Sequence, residues 1–274
     1  MRLRVLTWNV RYFAHGLGGA AATQGGVRRI AAAIAHSGAD VVALQEVEDR
    51  SLRGGLRRPQ LDRLTTALHA AGPVRWQSQH IPAHRYALGP VPLATMGLAW
   101  LVREGLSVVD HGSEEITHVR LPAAEPIKQS RVAAWIRVQT PTAAVDLVNT
   151  HLSLPAFLEV GPHRIPDAMG DGSNQAAEVA NLLAFVDRVA GPHRVVVGDF
   201  NSRPGSAAHQ AMLDAGLDDA WAGRQAVTAR FGRKRMHIDH VFGRGVGWSE
   251  RADDVPAFEG LSDHSPKAVT VRPA

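Results

Sequence analysis

The sequence predicts an α/β protein built on mixed sheets, and three observations carry that prediction. Short apolar runs rich in Val, Ile, Leu and Trp recur along the chain, with lengths that suit strands. Stretches of helical periodicity separate the earlier runs, and such alternation favours parallel pairing. The runs at 132–139 and 145–150 lie close enough for a hairpin, which adds antiparallel pairing.

Strands are expected near 2–10, 40–47, 95–102, 132–139, 145–150, 195–200, 238–242 and 267–271. Helices are expected at 27–36, 61–70, 175–189 and 207–214, each followed by a glycine suited to end it: Gly38, Gly72, Gly191 and Gly216. In the third helix Val179, Leu182, Leu183, Val186 and Val189 form one apolar stripe facing a core. Two stretches, 76–92 and 155–173, read as long loops. The 274 residues, 45% of them hydrophobic, suffice for a substantial core. No Gly/Ser tract, Pro-rich run or block of like charge marks a linker, and the length allows one large domain or two smaller ones.

Composition excludes several classes. There is no cysteine, so disulfides, thiolate metal sites and cysteine nucleophiles are ruled out. No apolar stretch approaches membrane-spanning length. The start, MRLRVLTWNV, lacks a long apolar core and a small-residue cleavage site. It reads as a first strand rather than a signal peptide, and the cytoplasm is the expected location. A net charge of +4 permits a polyanionic partner without demanding one.

The informative feature is what the apolar runs end in. RVVVGDFNSRP is a buried strand that finishes in Asp199 and Asn201. An Asx turn is the bland account of that ending. Five other runs share the habit: VLTWNV carries Asn9, DVVALQEV carries Gln45 and Glu46, and VDLVNTHL carries Asn149 and His151. MHIDHVF carries Asp239 and His240, and GLSDHSP carries Asp263 and His264. Buried carboxylates are normally paired, hydrogen-bonded or bound to metal, and α/β proteins gather ligand sites at strand ends. These groups are therefore expected to converge. Carboxylates and carboxamides without thiolates suit a hard cation, Mg²⁺ or Mn²⁺. Histidines add acid–base capacity near neutral pH. No P-loop, dinucleotide fingerprint or framed serine nucleophile is present. The set suits water attacking a phosphoester whose oxygens a metal holds.

The ordered motifs TWNVR, LQEV, NTHL, GDFN, IDHVF and SDHSP, spanning Thr7 to Pro266, resemble those of the endonuclease/exonuclease/phosphatase superfamily. That resemblance implies a four-layer α/β sandwich, two mixed β-sheets packed face to face with helices outside, and with it a single domain over residues 1–274. It implies a divalent-metal-dependent phosphoester hydrolase in which metal-bound water attacks phosphorus, foremost a phosphodiesterase or nuclease. A phosphomonoesterase acting on a small phosphorylated metabolite or inositol phosphate is the alternative, and a non-catalytic binding protein a remote one. By the same resemblance Glu46 is the principal metal carboxylate, with Asn9 and Asp263 beside it. Asp199 would activate water, Asn201 would contact a phosphate oxygen, and His151 would face the phosphate or leaving group. His264 would bind the scissile phosphate, with Asp239 fixing its tautomer. Structural alternatives stay open: Asn9 as a buried amide and Asp263 as a turn cap. His240 is expected to face the other way and be structural, Gln45 to support, and Trp8, Trp100 and Trp135 to be core.

AP endonucleases carry a tyrosine where this chain has His151, so abasic-site repair is disfavoured. The Asn expected near TMGLAWL is absent. Arg230, Arg233, Lys234 and Arg235, and Arg53, Arg57 and Arg58, could grip a polyanion such as nucleic acid or form solvated basic turns. The expected partner is a phosphoester substrate, and the expected state a monomer.

Overall fold

The structure, a computed structural model, describes residues 2–13, 23–51, 59–88, 91–117, 130–155, 161, 164–224, 226–231, 234–252 and 261–274. In chain order the elements begin with β1 (Leu3–Asn9), α1 (Gln24–Ser37), β2 (Val41–Ser51), α2 (Gln60–Ala71), β3 (Trp76–Leu88), β4 (Val91–Arg103) and β5 (Ser107–Glu115). There follow β6 (Val132–Gln139), β7 (Ala144–His151), α3 (Ile165–Ala168), α4 (Ser173–Val189), β8 (Arg194–Asp199) and α5 (Ala207–Asp214). The last are β9 (Asp218–Asp219), β10 (Ala229–Phe231), β11 (Lys234–Met236), β12 (Asp239–Arg244), β13 (Val246–Ala252) and β14 (Lys267–Pro273). Two compact units divide the chain: residues 1–107 with 248–272, and residues 108–247 with 273–274.

The first unit is a six-stranded mixed sheet in the order β13-β14-β1-β2-β4-β3. Its only parallel pair among the described residues is β1 with β2, linked through α1. Thr23 caps α1 by accepting the Gly26 N–H at 2.9 Å, and Gly38 ends it at φ +66°. Leu6, Trp8 and Val10 alternate along the β1 segment and share a core with Val27, Ile30 and Ile34 of α1 and Leu61, Leu64 and Leu68 of α2. Thr7 and Asn9 therefore project to the opposite face, where they too are buried. Burial on both faces explains why β1 and β2 read as continuous apolar runs.

The second unit has a six-stranded mixed sheet in the order β5-β6-β7-β8-β12-β9, and β10 and β11 form a separate hairpin. Again one parallel pair, β7 with β8, is flanked by antiparallel neighbours, here β6 and β12. α4 links the two parallel strands and packs Val179, Leu182 and Val186 against Val148 of β7 and Val196 of β8, as its stripe predicts. Trp135 is buried, and its indole N–H donates to Asp146 at 2.8 Å.

Several expectations need correction. Residues 76–92 are no loop: β3 runs from Trp76 to Leu88 and pairs with β4 as the edge of its sheet. Pro82 misled the sequence reading, but an edge strand tolerates proline and the ladder slips in register between Pro82 and His84. β5, also an edge strand, was absent from the expected set because most of its side chains are exposed. Gly72 is extended, at φ −178°, and is not a left-handed cap. Part of the second expected loop is the short helix α3. Arg53, Arg57, Arg58 and Arg233 lie outside the described residues.

Gly198 shows how tightly the parallel pair of the second unit is built. It sits at φ +148°, and a Cβ there would lie 2.0 Å from the Thr150 carbonyl oxygen of β7. Gly198→Ala should therefore cost about 3 kcal/mol through steric clash and backbone strain, read as a lower denaturant midpoint with an unchanged slope.

Candidate active site

Each sheet delivers its polar groups at the carboxyl ends of its parallel pair. That is where a parallel arrangement leaves strand ends side by side and where α/β proteins bind ligands. In the first unit β1 and β2 run in register with Asn9 beside Gln45. The β2–β4 ladder is interrupted between Leu44 and Val47, and inside that bulge Glu46 adopts φ +52°. A non-glycine residue in the left-handed region is strained, and such strain gathers at functional sites. Here it re-aims a carboxylate that regular alternation would have sent elsewhere.

Asn9 is almost wholly buried and ties this set together. Its Nδ2 donates to Glu46 Oε1 at 3.1 Å, while its Oδ1 accepts the Arg11 N–H at 3.0 Å. Arg11, Tyr12 and Phe13 follow with φ between +42° and +57°, a second strained stretch. The Asn9 carbonyl accepts from Ser262 Oγ at 2.8 Å, and Ser262 Oγ accepts the His264 N–H at 3.1 Å. Trp8 Nε1 donates to the His264 carbonyl at 2.9 Å. Asp263 is half-buried and meets Arg11 Nε at 3.5 Å. Asn9, Glu46, Asp263 and His264 thus form one connected network within the first unit. Ser262 and Trp8 are parts of it that sequence reasoning did not assign: Trp8 is core, as expected, but it also holds the SDHSP turn. Gln45 is fully buried, donates to Thr7 Oγ1 at 3.0 Å, and supports as expected.

In the second unit His151 and Asp199 end the parallel strands β7 and β8 in register, with Nε2 and Oδ2 3.4 Å apart. Asp199 Oδ1 accepts the Asn201 N–H at 2.9 Å. The Asx turn is therefore present, and it is the device that fixes the Asp199 carboxylate. Asn201 stands at φ +45° and its Nδ2 donates to the Leu152 carbonyl at 2.8 Å. Asp239 lies opposite Asp199 across the antiparallel β8–β12 pair, and both are almost fully buried. Directly opposed carboxylates repel, so a cation nearby would stabilise the pair.

Arg131, which the sequence reading overlooked, supplies charge on this side. Its Nη1 lies 3.3 Å from His151 Nδ1 and its Nε donates to Ser153 Oγ at 3.2 Å. A guanidinium only donates, so Nδ1 of His151 accepts from Arg131, while Nε2 lies 3.4 Å from Asp199 Oδ2 and 3.3 Å from Asn201 Nδ2. The buried Glu178 holds Ser153 by accepting from its N–H and its Oγ, at 2.8 and 2.6 Å.

A second buried cluster lies in the same unit. His209 Nε2 is 3.1 Å and His240 Nδ1 3.9 Å from Asp219 Oδ2. His240 Nε2 donates to the Ser202 carbonyl at 2.8 Å, so His240 does face away from the strand-end set, as expected. Its donor types and spacing resemble a metal site. However, His209 Nδ1 accepts the Gly205 N–H at 3.3 Å, which puts the His209 proton on Nε2 toward Asp219. The cluster is thus a proton-bearing network. Burial opposes ionisation of Asp219, but the hydrogen bond from His209, the His240 ring nearby and the Trp221 N–H outweigh it. The carboxyl is held well below the usual carboxylate range.

Two six-stranded mixed sheets with helices, one ending its parallel pair in carboxamides and a carboxylate and the other in a histidine and a carboxylate, define an α/β protein with a polar cluster at each set of strand ends. The chain belongs to the Endonuclease/Exonuclease/phosphatase family, whose sequence pattern matches residues 6–264. Members of that family are hydrolases acting on phosphoesters and depend on divalent metal. None of the curated proteins compared with the chain matches it. Among solved structures it is similar to an endonuclease/exonuclease/phosphatase from Beutenbergia cavernae, with 22% identity, 100% of this chain and 72% of the other covered, and a TM-score of 0.72. The human Nocturnin catalytic domain with bound sulfate gives 19% identity, coverage of 99% and 94%, and a TM-score of 0.69. A mannosyl-6-phosphatase from Bacteroides thetaiotaomicron gives 16%, coverage of 98% and 99%, and 0.65. At these identities the likeness establishes the fold. Among the described residues no helix is long and apolar enough to cross a membrane.

Proposed function

We propose that the chain is a divalent-metal-dependent phosphodiesterase forming a single domain over residues 1–274. The observation that carries this reading is Glu46: a carboxylate at a strained, bulged strand end, hydrogen-bonded by a buried Asn9. Asn9, Glu46 and Asp263 offer oxygen donors alone, which fit Mg²⁺ or Mn²⁺. Such a cation, when bound, would polarise the phosphate oxygens as a Lewis acid.

The remaining steps fall to side chains. Asp199 accepts the proton of the attacking water, and its Oδ1 bond to the Asn201 N–H fixes its direction. Asn201 holds the Leu152 carbonyl with Nδ2, which also lies 3.3 Å from His151 Nε2, and the hydrogen on that His151 side turns to a phosphate oxygen when substrate binds. His151 stands beside Asp199 with Nε2 3.4 Å from its Oδ2, and Arg131 supplies fixed positive charge beside it. His264 binds the scissile phosphate, and Asp239 serves as an orienting carboxylate. Nucleic acid is the foremost substrate class because the β10–β11 hairpin carries Arg230, Lys234 and Arg235.

One observation favours a second reading, a phosphomonoesterase on a small metabolite. Lys234 is paired with Asp167 at 2.8 Å and Arg203 with Asp171 at 3.2 Å, so part of the basic surface is already neutralised. A substrate panel separates the two: supercoiled plasmid, single-stranded RNA, bis-p-nitrophenyl phosphate and several phosphomonoesters, each with Mg²⁺, Mn²⁺ or EDTA. Metal-dependent cleavage of the diesters supports the first reading, and phosphate release from monoesters alone selects the second. No turnover of any of them with either metal rejects both. On the active substrate Asp199→Asn should lower kcat about 10²–10⁴-fold, because the amide keeps the shape but cannot take a proton. The melting temperature should stay near that of the wild type, and an unchanged kcat would remove Asp199 from its role.

A further inference from the structure

Gln175, the third residue of α4, is fully buried. Its Oε1 accepts the Gly170 N–H at 2.8 Å and the Gly172 N–H at 3.3 Å, while its Nε2 donates to the Asn201 carbonyl at 2.8 Å. The amide orientation is fixed by these partners: reversed, an NH₂ would face two N–H groups and an oxygen would face a carbonyl. One side chain thus joins three segments, namely the 170–172 turn, the start of α4 and the GDFN turn.

Helix capping explains only part of this. A glutamine at the third helical position reaching back to the N-cap N–H is half of a capping box, and that accounts for the bond to Gly172, the longest of the three. The two shorter bonds go outside the helix. Glutamate would serve the two glycine N–H groups as well, but it has no N–H for the Asn201 carbonyl. Asparagine is one methylene shorter. The packing around the clamp is close: a Cβ on Gly170 would lie 2.1 Å from Ser206 Oγ.

What the clamp holds is the strained residue that follows the strand end. Asn201 stands at φ +45°, and its carboxamide direction depends on its backbone. The same turn is fixed at Phe200, whose N–H donates to the Ile238 carbonyl at 2.9 Å, and at Ser202, whose carbonyl accepts from His240. Gln175 alone among these meets the Asn201 carbonyl itself.

We propose that Gln175 is a positioning residue for the hydrolysis, acting through Asn201, which rests on the function proposed above. Its removal lets the Asn201 peptide rotate, and misplacement of a phosphate-binding carboxamide by a fraction of an ångström lowers turnover more than substrate binding.

The test compares Gln175→Glu, Gln175→Ala and Asn174→Ala in the wild-type and Asn201→Ala backgrounds. Asn174 bonds the Leu154 carbonyl at 2.8 Å from the same helix start and serves as a control for stability alone. Gln175→Glu should lower kcat about tenfold with KM changed by about threefold or less. Asn174→Ala should lower the melting temperature while holding kcat within about twofold. In the Asn201→Ala background the kcat cost of Gln175→Glu should vanish, since both changes act on one group. A Gln175→Glu enzyme with wild-type kcat, or a cost that multiplies undiminished with Asn201→Ala, overturns the proposal. Gln175→Ala repeats the comparison should the glutamate variant not fold. A readout independent of turnover is the side-chain NH₂ resonance of Asn201, identified by its loss in Asn201→Ala. Its displacement in Gln175→Glu, but not in Asn174→Ala, is expected. Displacement in a protein whose wild type hydrolyses nothing would indict the functional reading and leave the clamp standing. An undisplaced resonance would refute the clamp itself.

Discussion

Glu46→Gln should leave a folded protein whose phosphoester hydrolysis falls about 10³-fold, roughly 4 kcal/mol of barrier. The amide still accepts the Asn9 Nδ2 hydrogen bond, so the local network survives. What it loses is the negative charge that draws a hard cation. Two measurements follow it: kcat/KM at saturating Mg²⁺, and calorimetric titration of Mg²⁺ in the absence of substrate. Loss of activity with metal binding intact would move the metal role away from Glu46. The backbone gives a further handle. In an ordinary strand Gly is less stable than Ala, but at φ +52° the order should invert. Glu46→Gly should therefore be about 1 kcal/mol more stable than Glu46→Ala, with both inactive. An Ala variant as stable as the Gly variant would show that position 46 carries no strain. The expected inversion would show stability given up so that one carboxylate can leave the pleat, the trade-off found where an active site is built into a sheet.

The same residue shows where the sequence is legible and where it stops. The motif LQEV marks Glu46 as a polar ending to a continuous apolar run, because Val41 to Leu44 are all buried and a polar group after them stands out. The bulge that re-aims it leaves no trace in composition, since no glycine sits at the strained position. Asp199, Asn201 and His151 were legible for the same reason as Glu46: each ends a strand buried on both faces, where a polar group stands out. Arg131, Ser262 and Gln175 were not. Each is an ordinary polar residue in its own segment and gains meaning only from partners 20, 253 and 26 residues away. The edge strands β3 and β5 were missed because half-exposed strands carry polar residues and, in β3, a proline. Sequence patterning reports burial well, and it reports the chemistry that burial makes conspicuous. It does not report tertiary hydrogen bonding, which is what turns the GDFN ending from a turn into a directed carboxylate.

The largest stability effect is expected away from the strand ends, at Asp219. Asp219→Ala should cost about 3–5 kcal/mol, the range for removing one partner of a buried charged pair. Its loss leaves the buried His209 and His240 facing each other without the carboxylate that both of them face, and leaves the Trp221 N–H without the oxygen it donates to at 2.8 Å. For a protein of this size the melting temperature should fall by roughly 10 °C. Acid titration gives the sharper test. The folded carboxyl is held below the usual range, whereas in the unfolded chain it titrates near about 3.9. As pH falls through about 4 the unfolded state takes up a proton that the folded state refuses, so the unfolded state binds more protons and stability declines. Above about pH 5 the contribution is complete. Asp219→Asn cannot ionise, so its loss of stability between about pH 5 and 3 should be shallower than that of the wild type. Equal slopes in the two proteins would mean that Asp219 takes up a proton in the folded state as readily as in the unfolded one. The site should register the change as well. His240 Nε2 holds the Ser202 carbonyl, one residue beyond Asn201, so a network disturbed at Asp219 reaches the GDFN turn through a single histidine. A modest fall in kcat, within about tenfold, should accompany the large fall in stability. A kcat unchanged in the fully folded variant would confine Asp219 to stability alone.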